Sequence, residues 1–385
     1  MNSKIVAAMA VFCFIAVLAA PVAAEETGSS LPGTDYVSQL DENGRNVYDD
    51  VTGRFDTELS GSAPSRDLSF TIFLTDPVLF STAEEATAYA QGIVQTALAA
   101  IYYTDAEAIW LWDLPISAPE VTVECGSVQI SYDDGRVSGT YSIPVSVSFT
   151  VSVPTDFVDN PDTTQNEIYQ AITDLRNAAS EITVTAESVP DKVIAIARAL
   201  DSVRMIDDRD PTEATEGQEA DPGSVSNAYD ALVTGESSSA GIAMAFTYLC
   251  ELNGITASTV KGTVVTNADG ATETGYWNVL WDGERWYAAD VTIYDGDGRE
   301  PLMAGMSTMV YVSDMTAHRG FGSTHVADLD LATANSLNAV TVPADGYDWP
   351  DDRTFFEKYG THVMAVIITA VIVGVIIYAL KKGDL

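Results

Sequence analysis

Between Ser239 and Asp290 the hydrophobic period of the chain changes once, from helical to alternating, and that change confines what it can fold into. Ile242, Ala245, Phe246, Leu249 and Leu252 recur at the spacing of a helix with one buried face. Gly254 stands where a helix ends on a left-handed residue. Beyond it, Val260, Gly262 and Val264 alternate with Lys261, Thr263 and Val265, followed by Trp277 and Val279, then Trp286, Ala288 and Asp290. Period two is the mark of half-buried strands. The stretch predicts an α+β core, one helix laid on an antiparallel sheet.

Upstream, Leu68 to Phe73 alternates as a strand, and Thr82 with Glu85 forms a capping box for a helix reaching about Ile101. Val121–Val123, Val128–Ile130 and Val145–Val151 read as further strands, apolar on one side and Ser/Thr-rich on the other. A short helix is expected at Asn46–Asp50 in an otherwise polar, turn-rich segment. Helical patterning returns at 168–182 and again after Pro190, with Val193, Ile194, Ala197, Leu200 and Val203 on one face. Residues 207–223, rich in Glu, Asp, Pro and Gly, read as a surface loop or binding lip. The expected organisation is an N-terminal α+β domain at 30–187 and a second domain at 188–344.

Both ends carry targeting signals. Lys4, the apolar run Ile5–Ala20 and Val22-Ala23-Ala24 have the layout of a signal peptide, cleaved near residue 24. Val363 to Leu380 contains no charge and would span about 27 Å as a helix at about 1.5 Å per residue. Lys381 and Lys382 follow it, which places residues 381–385 in the cytoplasm by the positive-inside rule. The expectation is a single-pass cell-membrane protein with its ectodomain outside. Residues 345–361 form an acidic juxtamembrane stretch whose Trp349, Phe355, Phe356 and Tyr359 are expected near the lipid head groups.

The formal net charge of −38 bears on partners. Removing both ends takes away Lys4, Lys381, Lys382 and Asp384, so the ectodomain is more negative still. Such a surface repels nucleic acid and anionic lipid, and suits a salt-rich exterior where self-repulsion is screened. Cys125 and Cys250, in different expected domains, read as two reduced, buried thiols. Asp295-Gly296-Asp297-Gly298 offers carboxylates on a turn but lacks the full calcium loop and its closing Glu, so no metal and no cofactor is expected.

Several spaced elements resemble the transglutaminase-like superfamily of the papain-like α+β fold, in its secreted archaeal or bacterial form. They are Tyr229-Asp230-Ala231-Leu232, Asn253-Gly254-Ile255 and Gly283-Glu284-Arg285-Trp286-Tyr287-Ala288-Ala289-Asp290-Val291-Thr292. Glu107–Trp112 and Tyr311-Val312-Ser313-Asp314 with His318 resemble further family elements. The resemblance implies a cysteine at a helix start, activated by an imidazole that a carboxylate orients. The cysteine position falls on Ser239 and the histidine position on Gly275, while Asp290 keeps the acid. A hydroxyl needs a base even more than a thiol does, and Gly275 removes it.

The expectation is therefore a pseudoenzyme: a non-catalytic surface protein whose former groove, with Tyr276, Trp277 and Trp286, binds a peptide, a cell-wall polymer or another envelope protein. Asp290, left without its partner, is expected to find donors in Trp277, Trp286 or Ser239. The alternative is an active hydrolase or acyltransferase using Ser239 with a displaced histidine, His318 or His325. A third expectation is a purely structural spacer.

Overall fold

The computed structural model describes residues 35–131, 138–154, 165–206, 226–294, 296, 298–312, 317–332, 335–350, 364, 368, 369 and 372. Its first helix, α1 (Glu42–Leu59), starts at Asp41, whose side chain accepts the Gly44 N–H. It buries Val47, Val51, Phe55 and Leu59 at every fourth position, and is longer than the short helix expected. The polar residues between those four hide the period in the sequence. α2 (Ala83–Thr104) begins on the expected Thr82/Glu85 capping box and runs past Ile101.

β1 (Asp67–Phe73), β2 (Thr122–Ser131) and β3 (Ser138–Ser152) form an antiparallel sheet in the order β1-β3-β2. The two strands expected at 121–130 are one strand, because its register shifts at Glu124/Cys125 and breaks the alternation. The inner face packs Phe70 on Phe149 and carries Phe55, which stacks on Trp110 at 4.8 Å. α3 (Gln165–Glu181) follows, and α4 (Val189–Leu200) is capped by Ser188 with Pro190 in its first turn.

β4 (Arg204–Met205) and β5 (Glu236–Ser237) pair in parallel just before α5 (Ser239–Leu252). The helix ends in a complete Schellman turn: Gly254 has φ +72°, its N–H reaches Glu251 O, and Ile255 N reaches Cys250 O. α5 is buried from Ser239 to Cys250 on all sides, not on one face. The sheet covers it on one side and α2 and α4 on others. Leu252, expected inside, is exposed at the last turn.

β6 (Thr256–Val265), β7 (Thr272–Trp281) and β8 (Trp286–Ala289) form an antiparallel meander. β9 (Met309–Tyr311) and β10 (His318–Gly320) make a separate hairpin. The short α6 (Phe321–Thr324) then delivers β11 (His325–Ala327) to the free edge of β6, giving the order β11-β6-β7-β8. The close approach of β11 requires Gly262. A Cβ there would lie 2.2 Å from Val326 O and 2.8 Å from Ala327 Cα.

One hydrophobic cluster runs from Tyr36 to Val342, across the boundary expected near residue 187. Tyr36 Oη donates to Thr259 O at 3.0 Å and Tyr103 Oη to Leu329 O at 2.9 Å. Glu107 takes two hydrogen bonds from Arg176 and one from Tyr248 Oη at 2.6 Å, tying α3 and α5 to the loop after α2.

Beside this junction, burial first, then the charges of Glu107 and Asp56, push the Asp105 carboxyl up to about 6. A raised acid stabilises the fold below its unfolded value and loses that contribution as pH climbs through the folded one. Lowering pH from 8 to 5 should therefore add about 1 kcal/mol through this group. Asp105→Asn should flatten that part of the stability profile, measured by urea unfolding at several pH values. Identical slopes in both proteins would refute it.

At the C-terminal end, Trp349 packs against Tyr347 at 4.8 Å and lies beneath the Arg299 guanidinium. It is half-buried and packs against the core cluster, and its neighbour Tyr347 is fixed to Met303 by a backbone hydrogen bond. Phe355, Phe356 and Tyr359 lie outside the described residues, as do residues 1–24, expected as a signal peptide, and residues 207–223, expected as a surface loop. Of the apolar run 363–380, residues 364, 368, 369 and 372 are helical, with Met364, Ile368 and Ile372 exposed. Among the described residues no helix is long and apolar enough to cross a membrane.

Candidate functional site

Ser239 is the first residue of α5 and is 6% exposed. Its hydroxyl oxygen accepts the N–H of Tyr276 at 3.0 Å, which holds the helix start against β7. Deeper along the same contact, Asn278 Nδ2 donates to Ala243 O at 2.8 Å and to Thr247 Oγ1 at 3.0 Å. Gly275 stands one residue before Tyr276, opposite Gly262 on β6. A Cβ at Gly275 would meet Val264 Cγ2 at 2.5 Å, so a side chain there would have to displace its neighbour.

Asp290 follows β8 directly, next to Ala289, which pairs with Asn278. Ser239, through Tyr276, and Asp290, through the Ala289–Asn278 pair, thus both border β7. The carboxylate is 1% exposed. Its Oδ1 accepts the Thr292 N–H at 2.9 Å and the Thr292 hydroxyl at 2.6 Å, capping the 3-10 turn Val291–Ile293. Its Oδ2 lies 3.0 Å from His325 Nε2.

The partner of Asp290 is thus an imidazole from β11. This corrects the expectation that Trp277, Trp286 or Ser239 would supply the donor. The His325 ring stacks on Phe321 at 3.9 Å and 8°, and meets the Trp277 ring edge-on at 5.1 Å. Its other nitrogen, Nδ1, lies 2.8 Å from Thr324 Oγ1, and that hydroxyl is also 2.9 Å from Phe321 O. Thr324 and His325 are buried with Asp290, so the three form a sealed polar chain.

A neutral ring is satisfied if Thr324 donates to Nδ1, and a charged ring if Thr324 accepts from Nδ1 and donates to Phe321 O. In either form both ring nitrogens are engaged. The hydroxyl beside the imidazole is that of Thr324.

Other expectations need correction. Tyr276, expected to line a groove with Trp277 and Trp286 supporting it, is only 6% exposed, and the two tryptophans are each 4% exposed. They pack inward: Trp286 lies against Trp281 and Trp277 against His325. Alternation placed these aromatics on strands correctly, but β7 is covered on both faces, so neither face opens to solvent. His318 remains exposed against the Tyr311 ring.

Cys250 is buried and its thiol is pushed well up by that burial, while Cys125 is half-buried; both are free. Asp295 and Asp297 lie outside the described residues, and among those described no three His, Cys, Asp or Glu side chains are grouped to hold a metal ion. Sequence reasoning passed over Thr292, Thr324 and Asn278 as partners. Thr292 carried a signal, since Asp-x-Thr is a local capping pattern.

No protein-family profile matches the chain, and no curated protein matches it significantly. Two solved structures are similar to it. One is a TGase, 13% identical, with 46% of this chain aligned to 46% of that one at a TM-score of 0.28. The other is a candidate cysteine protease from Cytophaga hutchinsonii, 16% identical, with 45% of this chain aligned to 64% of that one at a TM-score of 0.22. The chain spans less than two thirds of either structure.

Proposed function

We propose that this is a transglutaminase-like domain that has given up acyl transfer, held outside the cell by its C-terminal apolar run. In this reading it works as a binding or spacing module toward a peptide, a wall polymer or another envelope protein. The observation that carries it is the sealed chain Asp290–His325–Thr324, with Ser239 Oγ turned instead to the Tyr276 N–H. A nucleophile–base pair requires a hydroxyl whose proton faces a free ring nitrogen. Here the ring nitrogens are spent on a carboxylate and a threonine. Incubating the full chain with a fluorophosphonate probe and with thioester and amide acyl donors should give no adduct at Ser239 and no turnover above the buffer rate. A stoichiometric adduct on Ser239 would sink the reading.

One observation favours a second reading. His325 restores the carboxylate–imidazole half of a triad that Gly275 had lost, and β11 is fixed tightly on β6 by Gly262. A displaced base of this kind would serve an active hydrolase or acyltransferase. That reading requires Ser239 labelling to disappear in His325→Gln and to follow one titrating group in wild type.

A further inference from the structure

Residues 343–349 are laid as a strap along the β8 edge of the sheet. Between them and β8 run residues 301–306: Ala288 and Ala304 exchange backbone hydrogen bonds of 2.8 and 2.7 Å, and Asp290 N donates to Pro301 O at 3.0 Å. The strap rests on this layer. Met306 N donates to Pro343 O and Ser307 N to Ala344 O, each at 2.8 Å, and Tyr347 N donates to Met303 O at 3.0 Å. Arg285, just before β8, adds a bond from Nη2 to Gly346 O at 3.0 Å while its guanidinium covers the Tyr287 ring at 4.7 Å.

Two observations mark the strap as a part that lets go before the rest. Its hold is thin: Pro343, Ala344, Asp345 and Asp348 are exposed, and Tyr347 and Trp349 reach the core cluster only half-buried. Segments with few buried apolar contacts and exposed backbone bonds open at low free energy. Beneath it, Met303 has φ +51°, the one positive φ outside glycine among the described residues. A left-handed methionine is strained and persists only where its surroundings hold it. Met303 is held on one side by the Ala304–Ala288 pair and on the other by its carbonyl, bonded to Tyr347 N, so the strap is one of its two restraints. Detaching the strap therefore lets that strain go.

Position in the chain gives the strap its load. It leads, beyond Pro350, toward the apolar run 363–380. A pull arriving at Trp349 meets the bonds at Tyr347, Gly346, Ala344 and Pro343 in turn, and bonds loaded singly part more readily than bonds loaded together.

We infer that residues 343–349 are a release strap, a unit that detaches from 301–307 and reattaches while β6, β7 and β8 stay folded, so that a pull on the chain beyond Trp349 is taken up there before it reaches the Asp290–His325 pair. What does the pulling rests on the reading of the apolar run as a membrane anchor; the separate opening of the strap does not.

Hydrogen exchange of the full chain, read by mass spectrometry, tests the opening. Peptides covering 301–308 and 343–349 should exchange together, about tenfold or more faster than peptides covering β6 and β7. In Arg285→Ala the ratio of strap to β6–β7 rates should rise by about a further tenfold, the value of one hydrogen bond from a charged group. Reading the ratio keeps the test sound if the variant also loosens the whole fold. Strap peptides that exchange at the unstructured rate, or only as fast as β6 and β7, or a ratio unchanged in Arg285→Ala, would overturn the inference. Flotation of the full chain with phosphatidylcholine vesicles decides the anchor separately: a chain that does not float ends the membrane reading and leaves the strap standing.

Discussion

His325→Ala is expected to destabilise the protein by about 3–5 kcal/mol, the range for removing one partner from a buried ionisable pair. Asp290 would keep its two bonds from Thr292 but lose the donor to Oδ2, inside a core that leaves it 1% exposed. Thr324 would lose its ring partner, and Phe321 the plane stacked on it. Urea unfolding measures the cost. Asp290→Asn in the same background should recover part of it, because the amide removes the uncompensated charge while keeping an acceptor for Thr292. A loss under about 1 kcal/mol in the single variant would mean that the pair is not the buried link described here.

Gly241→Ala should cost about 3 kcal/mol, at the upper end for forcing a methyl into a packed site. The added Cβ would lie 2.0 Å from Ser237 Oγ, 2.5 Å from Asn227 O and 3.0 Å from Asn227 N. Two of these are backbone atoms, which cannot rotate away. The glycine is required by close approach, since its φ is not in the left-handed region. Gly275→Ala is the contrasting case: its obstacle is the side chain of Val264, which has other rotamers, so the cost should be about 1 kcal/mol. Thermal and urea unfolding of the two variants test the ordering. Equal costs would show that the segment before α5 yields as readily as a side chain.

Much of the fold was legible because its signals are local. The capping box at Thr82, the left-handed Gly254 and the alternation through β6 and β7 each depend on residues a few positions apart, and each element formed where the residues implied. Two local readings failed for identifiable reasons. α1 reads as polar because only every fourth residue is apolar, and β2 reads as two strands because a bulge resets its alternation. The site was half legible. Ser239 and Asp290 come from long, well-patterned elements, and the fold brings both to β7.

His325 is a different matter. Its strand is three residues long, too short to carry a period, and its pairing with Val264 spans sixty-one positions of sequence. Whether a tail histidine lies in solvent or on a buried carboxylate depends on where β11 docks, and docking depends on the space that Gly262 leaves. The same holds for the aromatics. That Tyr276, Trp277 and Trp286 belong to strands follows from alternation, but whether a strand face is a wall or a core depends on what else packs on it. Sequence alone determined the element types and the caps, because these are matters of neighbouring residues. Tertiary structure decided which imidazole reached Asp290 and which faces closed over it, because contacts between distant segments are chosen by competition for a shared core and leave no trace in local spacing.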